Sequence, residues 1–175
     1  MGAPDRRMLL GVMSDSHDNV WAIRRAAEEL KRRGVGLVLH AGDWVAPFSA
    51  RALREALGEG IRVVGVWGNN EGERPYFLEM ARKYGVEIAG EAAELEAGGR
   101  RIALYHGTSP VLLRALVESG LYDLVVYGHT HQAAIERRGR TLVVNPGEVC
   151  GCLTGRSTAA VVDLAKLEAE LLFLT

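Results

Sequence analysis

The chain has 175 residues, of which 48% are hydrophobic and 25% charged, with a formal net charge of −1; these values are ordinary for one globular domain, which we expect over residues 1–175. The near-zero charge argues against nucleic acid as an obligate partner. No apolar run reaches the roughly 20 residues of a membrane span and no signal-peptide pattern is present, so we expect no membrane association and a cytoplasmic location.

The first two-thirds of the chain alternates short apolar runs, which predict strands, with stretches that carry apolar residues at helical spacing. The predicted strands are Met8–Met13, Leu37–Ala41, Ile61–Trp67, Ile102–Tyr105 and Leu124–Tyr127, with a weaker one at Ala93–Ala97. The predicted helices are Val20–Arg33, Pro47–Leu57, Pro75–Tyr84 and a fourth from Pro110 to about Ser119. Proline at the first helical position and glycine just after the last turn both favour these boundaries.

The last third of the chain changes to a hairpin pattern. Ala133–Arg137 and Thr141–Asn145 flank one turn, and Ala159–Leu164 and Leu167–Leu174 flank another. A chain that begins with βαβ units and ends with hairpins predicts an α/β fold of two mixed sheets, packed face to face with helices outside.

Residue types that bind metals follow five of the predicted strands. The blocks are Asp15-Ser16-His17, Gly42-Asp43, Gly68-Asn69-Asn70-Glu71, His106 and Gly128-His129-Thr130-His131. Ligands bind beyond the carboxyl ends of strands in open α/β sheets, so one rim would collect the groups that a two-metal hydrolytic site needs. In an extended segment residues i and i+2 point to the same side, so Asp15 and His17 could reach one cation.

Taken singly, most of these blocks have a structural alternative. The acidic residues could cap turns or helices, the pair of asparagines could form a turn, and His106 could be a hydrogen-bonded structural residue. The H-x-H pair of His129 and His131 favours metal binding even alone, because buried imidazoles need partners.

Together and in this order, the five blocks resemble the pattern of the calcineurin-like metallophosphoesterase superfamily: D-x-H, G-D, G-N-x-[DE], H and G-H-x-H. The resemblance spans residues 8 to about 165 and implies a four-layer α/β/β/α sandwich that holds two divalent metal ions. It also implies two ligand sets, one of Asp15, His17, Asp43 and His131 and the other of Asp43, Asn69, His106 and His129. Asp43 would bridge the two ions.

The same resemblance implies a metal-bridging hydroxide that attacks phosphorus in line, with Asp43 and Asn69 as the catalytic residues. Asn69 would both bind metal and donate its amide to a phosphoryl oxygen. Imidazole and carboxylate ligands accept several first-row metals; we expect Mn, with Ni, Fe, Co or Zn as alternatives.

One residue departs from the pattern of many family members, in which the third residue of the G-N-x-[DE] block is a histidine that helps to protonate the leaving group. Asn70 stands there in this chain and cannot act as a general acid. With the short length, this departure indicates a small YfcE-type phosphodiesterase acting on a small-molecule phosphodiester. The alternatives are a phosphomonoesterase or nucleotidase on the same site, and a non-catalytic scaffold such as the retromer subunit of this fold. Small relatives are often oligomers, so we expect a homodimer or homotetramer.

Five residues outside the ligand sets have roles that the sequence leaves open. His40 could orient a ligand or pack within its strand, and Glu71 is expected to support the ligands rather than to attack substrate. The segment Asn145-Pro146-Gly147-Glu148 resembles the family's N-P-G-[SE] turn, and this resemblance alone implies that it lies near the site. Glu148 could tune the substrate entrance, but we expect it to cap the turn. Cys150 and Cys152 are too close in sequence for ordinary disulfide geometry; we expect packing thiols, with metal binding as the alternative.

The composition also bears on thermal stability. Gln132 is the only glutamine, and the asparagines are Asn19, Asn69, Asn70 and Asn145. Scarcity of these thermolabile residues is typical of thermophile proteins.

Overall fold

The computed structural model describes residues 8–174, so residues 1–7 and 175 of the predicted domain lie outside the described residues. The helices are α1 (Val20–Arg32), α2 (Pro47–Leu57), α3 (Arg74–Lys83) and α4 (Pro110–Glu118). The first six strands are β1 (Leu9–Met13), β2 (Leu37–His40), β3 (Arg62–Gly65), β4 (Glu87–Ile88), β5 (Ala92–Ala97) and β6 (Arg100–Tyr105). The others are β7 (Leu124–Val126), β8 (Ala134–Arg138), β9 (Thr141–Asn145), β10 (Thr158–Asp163) and β11 (Glu168–Phe173).

The strands form two mixed sheets, as predicted. One sheet has the order β11-β10-β1-β2-β3-β4 and the other the order β5-β6-β7-β9-β8. In the first, β1 to β4 run parallel and β10 pairs antiparallel with β1. In the second, β6, β7 and β9 are parallel, while β5 and β8 are antiparallel edges.

The apolar residues sort into three buried clusters that define four layers. The largest places α1, α2 and α3 on the outer face of the first sheet, with Leu30, Leu53 and Phe77 fully buried. The second lies between the two sheets, where β1 and β2 face β6 and β7. A small third cluster joins α4 to the outer face of the second sheet. The predicted α/β/β/α sandwich is therefore confirmed.

The predicted boundaries differ from the observed ones mainly at strand ends. Strand β2 stops at His40, β3 at Gly65 and β7 at Val126, one or two residues before the predicted ends, because the chain there already turns into loops. Strand β4 was not predicted. Its two residues pair with Val64 and Gly65 of β3, and so short an element has no periodicity of its own.

The parallel strands set the position of the candidate site. Because β1, β2 and β3 are parallel, and so are β6 and β7, the loops that follow them gather at one edge of the sandwich. No helix within residues 8–174 is long and apolar enough to cross a membrane. The cytoplasmic location stays a prediction.

Candidate metal centre

The loops after β1, β2, β3, β6 and β7 bring the predicted ligands together in an unusual backbone conformation. Left-handed φ angles occur at Asp15 (51°), His17 (41°), Asp43 (58°), His129 (67°) and His131 (61°). The expectation that Asp15 and His17 converge because their segment is extended is therefore wrong, since both lie in a left-handed turn. Such conformations cost about 1–3 kcal/mol each and persist where surrounding contacts enforce them, often at functional sites.

Asp15 directs one carboxylate oxygen into the centre. Its Oδ2 accepts hydrogen bonds from the Ser14 hydroxyl (2.6 Å) and the His129 backbone N–H (3.0 Å). Its Oδ1 is buried without a hydrogen-bond partner, as is Nε2 of His17. Oδ1 lies 3.3 Å from Nε2 of His131 and 3.9 Å from Nε2 of His17. These atoms converge on a point that no protein donor fills.

His106 faces two oxygens on the other side of the centre. Its Nδ1 lies 2.7 Å from the Ala41 carbonyl oxygen, which can only accept, so Nδ1 carries the proton. Nε2 faces Asn69 Oδ1 at 3.0 Å and Asp43 Oδ1 at 3.3 Å. The His129 ring lies 5.1 Å from the His106 ring, centroid to centroid. Nε2 of His106 meets these two acceptor oxygens either by carrying a proton, as imidazolium, or by sharing a cation with them.

Asp43 lies between the side chains around Asp15 and those around His106. Its Oδ2 is 3.4 Å from Nε2 of His17, while its Oδ1 faces His106. Asn70 holds this carboxylate with its backbone N–H (2.9 Å) and its side-chain amide (3.0 Å). Burial raises the pKa of Asp43, but the hydrogen bonds from His106 and Asn70 outweigh burial and bring the pKa well below its usual range. The sequence indicates only that Asn70 cannot act as an acid; nothing in its spacing predicts the contact with Asp43.

The electrostatics of the centre favour a bound cation. Nearby Asp15 and Asp43 raise the pKa of His17 against the opposing effect of burial. Burial lowers the pKa of His106, but the nearby Asp43 raises it by more, so the net shift of the His106 pKa is upward. The side chains of Asp15, His17, Asp43 and His131 place ligand atoms within 4.8 Å of one another. Carboxylate and imidazole donors of this kind suit divalent first-row metals, and these residues therefore fit a metal.

Glu71 supports the Asp43 loop from outside the centre. Its Oε1 accepts the backbone N–H groups of Asp43 (2.9 Å) and Gly68 (2.7 Å), and its Oε2 those of Trp44 (3.1 Å) and Val45 (2.9 Å). Burial raises the pKa of Glu71, although these N–H groups oppose the rise. The contacts are those expected of a supporting residue.

His40 connects the loops after β1 and β2. Its Nδ1 accepts the Gly42 backbone N–H (3.2 Å), so Nε2 carries the proton that it donates to Ser16 Oγ (2.9 Å). The ring also stacks on Trp44 at 3.5 Å. Burial lowers the pKa of His40 to about 3, so the ring is neutral. The sequence left two roles open for His40, orienting a ligand loop and packing within its strand, and the observed contacts agree with both.

Glu148 has one of the two roles that its sequence allows and a further contact that the sequence does not predict. It is fully buried, so it cannot tune a substrate entrance. It does cap a turn, because it accepts the backbone N–H groups of Leu153 and Thr154. It also accepts a hydrogen bond from Nδ1 of His131 at 2.5 Å. Burial raises its pKa, but these donors outweigh burial and lower it to about 2. Nothing in the local sequence indicates the contact with His131.

Both cysteines are free. The Cys150 thiol is buried and donates to Glu148 Oε2 (3.2 Å), and burial with the adjacent groups raises its pKa. It packs beside His17 and His131, whereas Cys152 is exposed. These contacts agree with the expected packing role of Cys150. Its Sγ also lies within 4.8 Å of ligand atoms of His17 and His131, so the alternative of metal binding stays a prediction.

Comparison with known proteins gives consistent matches over nearly the whole chain. A model of the calcineurin-like phosphoesterase superfamily domain matches residues 8–167. Phosphodiesterase MJ0936 of Methanocaldococcus jannaschii is 36% identical over 162 residues, which cover 92% of this chain and 96% of that protein. The solved structure of an archaeal phosphodiesterase has a TM-score of 0.88 at 34% identity, covering 95% of this chain and 100% of that one. The phosphoesterase Yfce from E. coli, with a TM-score of 0.67, 20% identity and coverages of 96% and 100%, shares the fold.

Proposed function

The chain belongs to the calcineurin-like phosphoesterase superfamily and is a phosphoric ester hydrolase, and from that premise we propose that it is a metal-dependent phosphodiesterase with a dinuclear metal centre. The observation that carries the proposal is the pair of buried atoms without a hydrogen-bond partner, Asp15 Oδ1 and His17 Nε2, next to an Asp43 carboxylate whose two oxygens face His17 and His106. The 36% identity to a phosphodiesterase supports the diesterase assignment.

The proposed ligand sets share Asp43. Asp15, His17, Asp43 and His131 would hold one cation, and Asp43, Asn69, His106 and His129 the other. When bound, two divalent cations supply Lewis acidity to the phosphate and lower the pKa of the attacking water. We propose Mn, with Ni, Fe, Co or Zn as alternatives that the same donors accept.

The chain's own residues then orient the ligands and the substrate. The Ala41 carbonyl fixes the ring of His106, and Asn70 fixes the carboxylate of Asp43. Oδ1 of Asn69 faces His106, which leaves its amide nitrogen to donate to a phosphoryl oxygen. Such preorganised donors stabilise charge that develops in the transition state.

A substrate panel under defined metals tests the proposal. The protein is stripped with a chelator, reloaded separately with Mn, Ni, Co, Zn or Fe, and assayed on bis-(nitrophenyl) phosphate and nitrophenyl phosphate. We expect diester hydrolysis that depends on added metal and is strongest with Mn. Faster turnover of the monoester would favour the phosphomonoesterase alternative. Two bound metals with no hydrolysis of either ester, or no metal binding at all, would favour a scaffold.

The same assay, extended to alkyl diesters, tests the role of Asn70. Its amide is engaged with Asp43 and has no proton to give to a leaving group at neutral pH. We therefore expect activated aryl diesters to react well and alkyl diesters slowly. Comparable turnover of the two classes would show that another group protonates the leaving oxygen.

A further inference from the structure

We propose that Glu148 is a positioning residue that fixes the tautomer and the ring orientation of His131. The inference rests on the proposed function, since it assigns His131 to a metal. It concerns a residue that lies 17 positions from His131 in sequence and that no sequence pattern connected with it.

The hydrogen bond to Glu148 determines which nitrogen of His131 is available. An ionised carboxylate can only accept, so the proton of the ring lies on Nδ1. Nε2 then carries the lone pair, and it is this atom that lies 3.3 Å from Asp15 Oδ1 inside the centre. A carboxylate behind a metal-binding histidine holds the ring in place and makes its free nitrogen more basic.

Glu148 is itself held by donors on both oxygens. Oε1 accepts the Leu153 N–H (3.0 Å), the Thr154 N–H (2.6 Å) and the Thr154 hydroxyl (2.7 Å). Oε2, which faces His131, also accepts the Cys150 thiol proton (3.2 Å). The carboxylate is fully buried and so well supplied with donors that it cannot rotate without losing several hydrogen bonds.

The backbone around Glu148 is anchored to the ligand loop after β1. The Val149 N–H donates to the Ser14 carbonyl (3.0 Å) and the Cys150 N–H to the Asp15 carbonyl (3.1 Å). Glu148 therefore holds His131, while the adjacent residues Val149 and Cys150 hold the segment that contains Asp15. This short piece of backbone fixes the distance between His131 and Asp15.

The substitution Glu148→Gln separates this role from that of capping a turn. The three donors on Oε1 require an oxygen there, so the Gln carbonyl takes that position and its NH2 group faces His131. Nδ1 must then accept, which moves the ring proton to Nε2, the atom that would bind metal. The control is Thr154→Val, which removes a donor to Oε1 but leaves the His131 contact on Oε2 unchanged.

Two measurements decide the question. Long-range ¹H–¹⁵N NMR of the metal-free protein at mildly alkaline pH reads the tautomer of His131; we expect the proton on Nδ1 in the wild type and in Thr154→Val, and on Nε2 in Glu148→Gln. Titration calorimetry with Mn²⁺ reads affinity; we expect a loss of about 10–100-fold in Glu148→Gln and less than about threefold in Thr154→Val.

Three results would overturn the inference: a wild-type His131 protonated on Nε2, an unchanged tautomer in a folded Glu148→Gln, or equal losses of affinity in the two variants. The wild-type tautomer alone decides the matter if Glu148→Gln fails to fold. Failure of the wild type to bind metal would refute the proposed function instead, and the tautomer comparison in metal-free protein would still test Glu148.

Discussion

Asp43 is central to the proposed metal centre, because its two carboxylate oxygens face His17 and His106, which belong to different proposed ligand sets. Its left-handed conformation and its contacts with Asn70 show how the chain constrains it. Glycine is required next to it: a Cβ at Gly68 would overlap the Asp43 carboxylate. Contacts from loops far away in sequence stabilise this strained backbone conformation.

Replacing Asp43 by asparagine tests the bridging role. The amide offers one oxygen instead of two and no charge, so we expect kcat/KM on diesters to fall on the order of 100-fold or more, with fewer than two metals bound per chain. Far-UV circular dichroism should be unchanged, because the substitution preserves side-chain volume. Glu96→Gln, at an exposed position of β5, is the control. Retained activity in Asp43→Asn would exclude Asp43 as the bridge.

At the scale of elements, the loops at the candidate metal centre are held mainly by hydrogen bonds to other loops rather than by contacts within each loop. The loop after β3 supplies Glu71, which accepts four backbone N–H groups, three of them from the loop after β2. That loop contains Val45 with a φ of 80°, a conformation that a β-branched residue rarely adopts unaided.

We expect Glu71→Gln to destabilise this arrangement. The amide places an NH2 group against backbone N–H groups, which leaves at least one of them without an acceptor at a cost of about 1–3 kcal/mol. Urea unfolding of the metal-free protein measures the loss of unfolding free energy. Glu73→Gln, two residues away on an exposed position, should change it by less than about 0.5 kcal/mol. Equal effects of the two substitutions would show that the N–H contacts of Glu71 contribute nothing.

For the molecule as a whole, networks of ion pairs on the surface connect secondary-structure elements that are far apart in sequence. Arg33 pairs with Glu29 in α1 and with Glu170 in β11. Glu55 of α2 pairs with both Arg24 and Arg51. Single exposed pairs add little stability, but networks become more favourable as temperature rises.

These networks and the scarcity of asparagine and glutamine lead us to expect a thermostable protein. Differential scanning calorimetry of the metal-free chain should give a Tm above the roughly 45–65 °C typical of mesophile domains. Added salt should lower the Tm, because it screens exposed charges. A Tm within the mesophile range would contradict the expectation.

Helix α4 exposes apolar side chains to solvent. It has no buried residue, and Val111 and Leu112 are 63% and 56% exposed. Arg114 and Glu118, one turn apart, form no ion pair within residues 8–174. We expect the homodimer predicted from the sequence to use this face, with two copies of α4 antiparallel so that the apolar side chains are covered and Arg114 of each copy lies near Glu118 of the other.

We therefore expect a homodimer, or a tetramer built from such dimers, in solution. Light scattering after gel filtration should give at least twice the 19.0 kDa of one chain. Arg114→Glu should weaken the assembly by placing like charges together, and the exchange Arg114→Glu with Glu118→Arg should restore it. A wild-type monomer, or an exchange that restores nothing, would exclude this interface.

The sequence by itself determined the class of the fold and the positions of the candidate ligands along the chain, while their division into two ligand sets stays a prediction from the family resemblance. Apolar periodicity and turn residues are local properties, so they predicted four helices, nearly all strands and the two hairpins. Five blocks of metal-binding residue types, each at a strand end, indicated a common rim because parallel strands end at the same edge of a sheet.

Only the tertiary structure decided which atoms face one another. The contacts of Asn70 with Asp43, of Glu71 with Val45 and of Glu148 with His131 join loops 27, 26 and 17 residues apart. Their geometry follows from how the two sheets stack and from left-handed turns that the surrounding contacts enforce. Neither is a property of residue type or spacing, and so the sequence predicted the ligands of the centre but not the residues that hold those ligands in place.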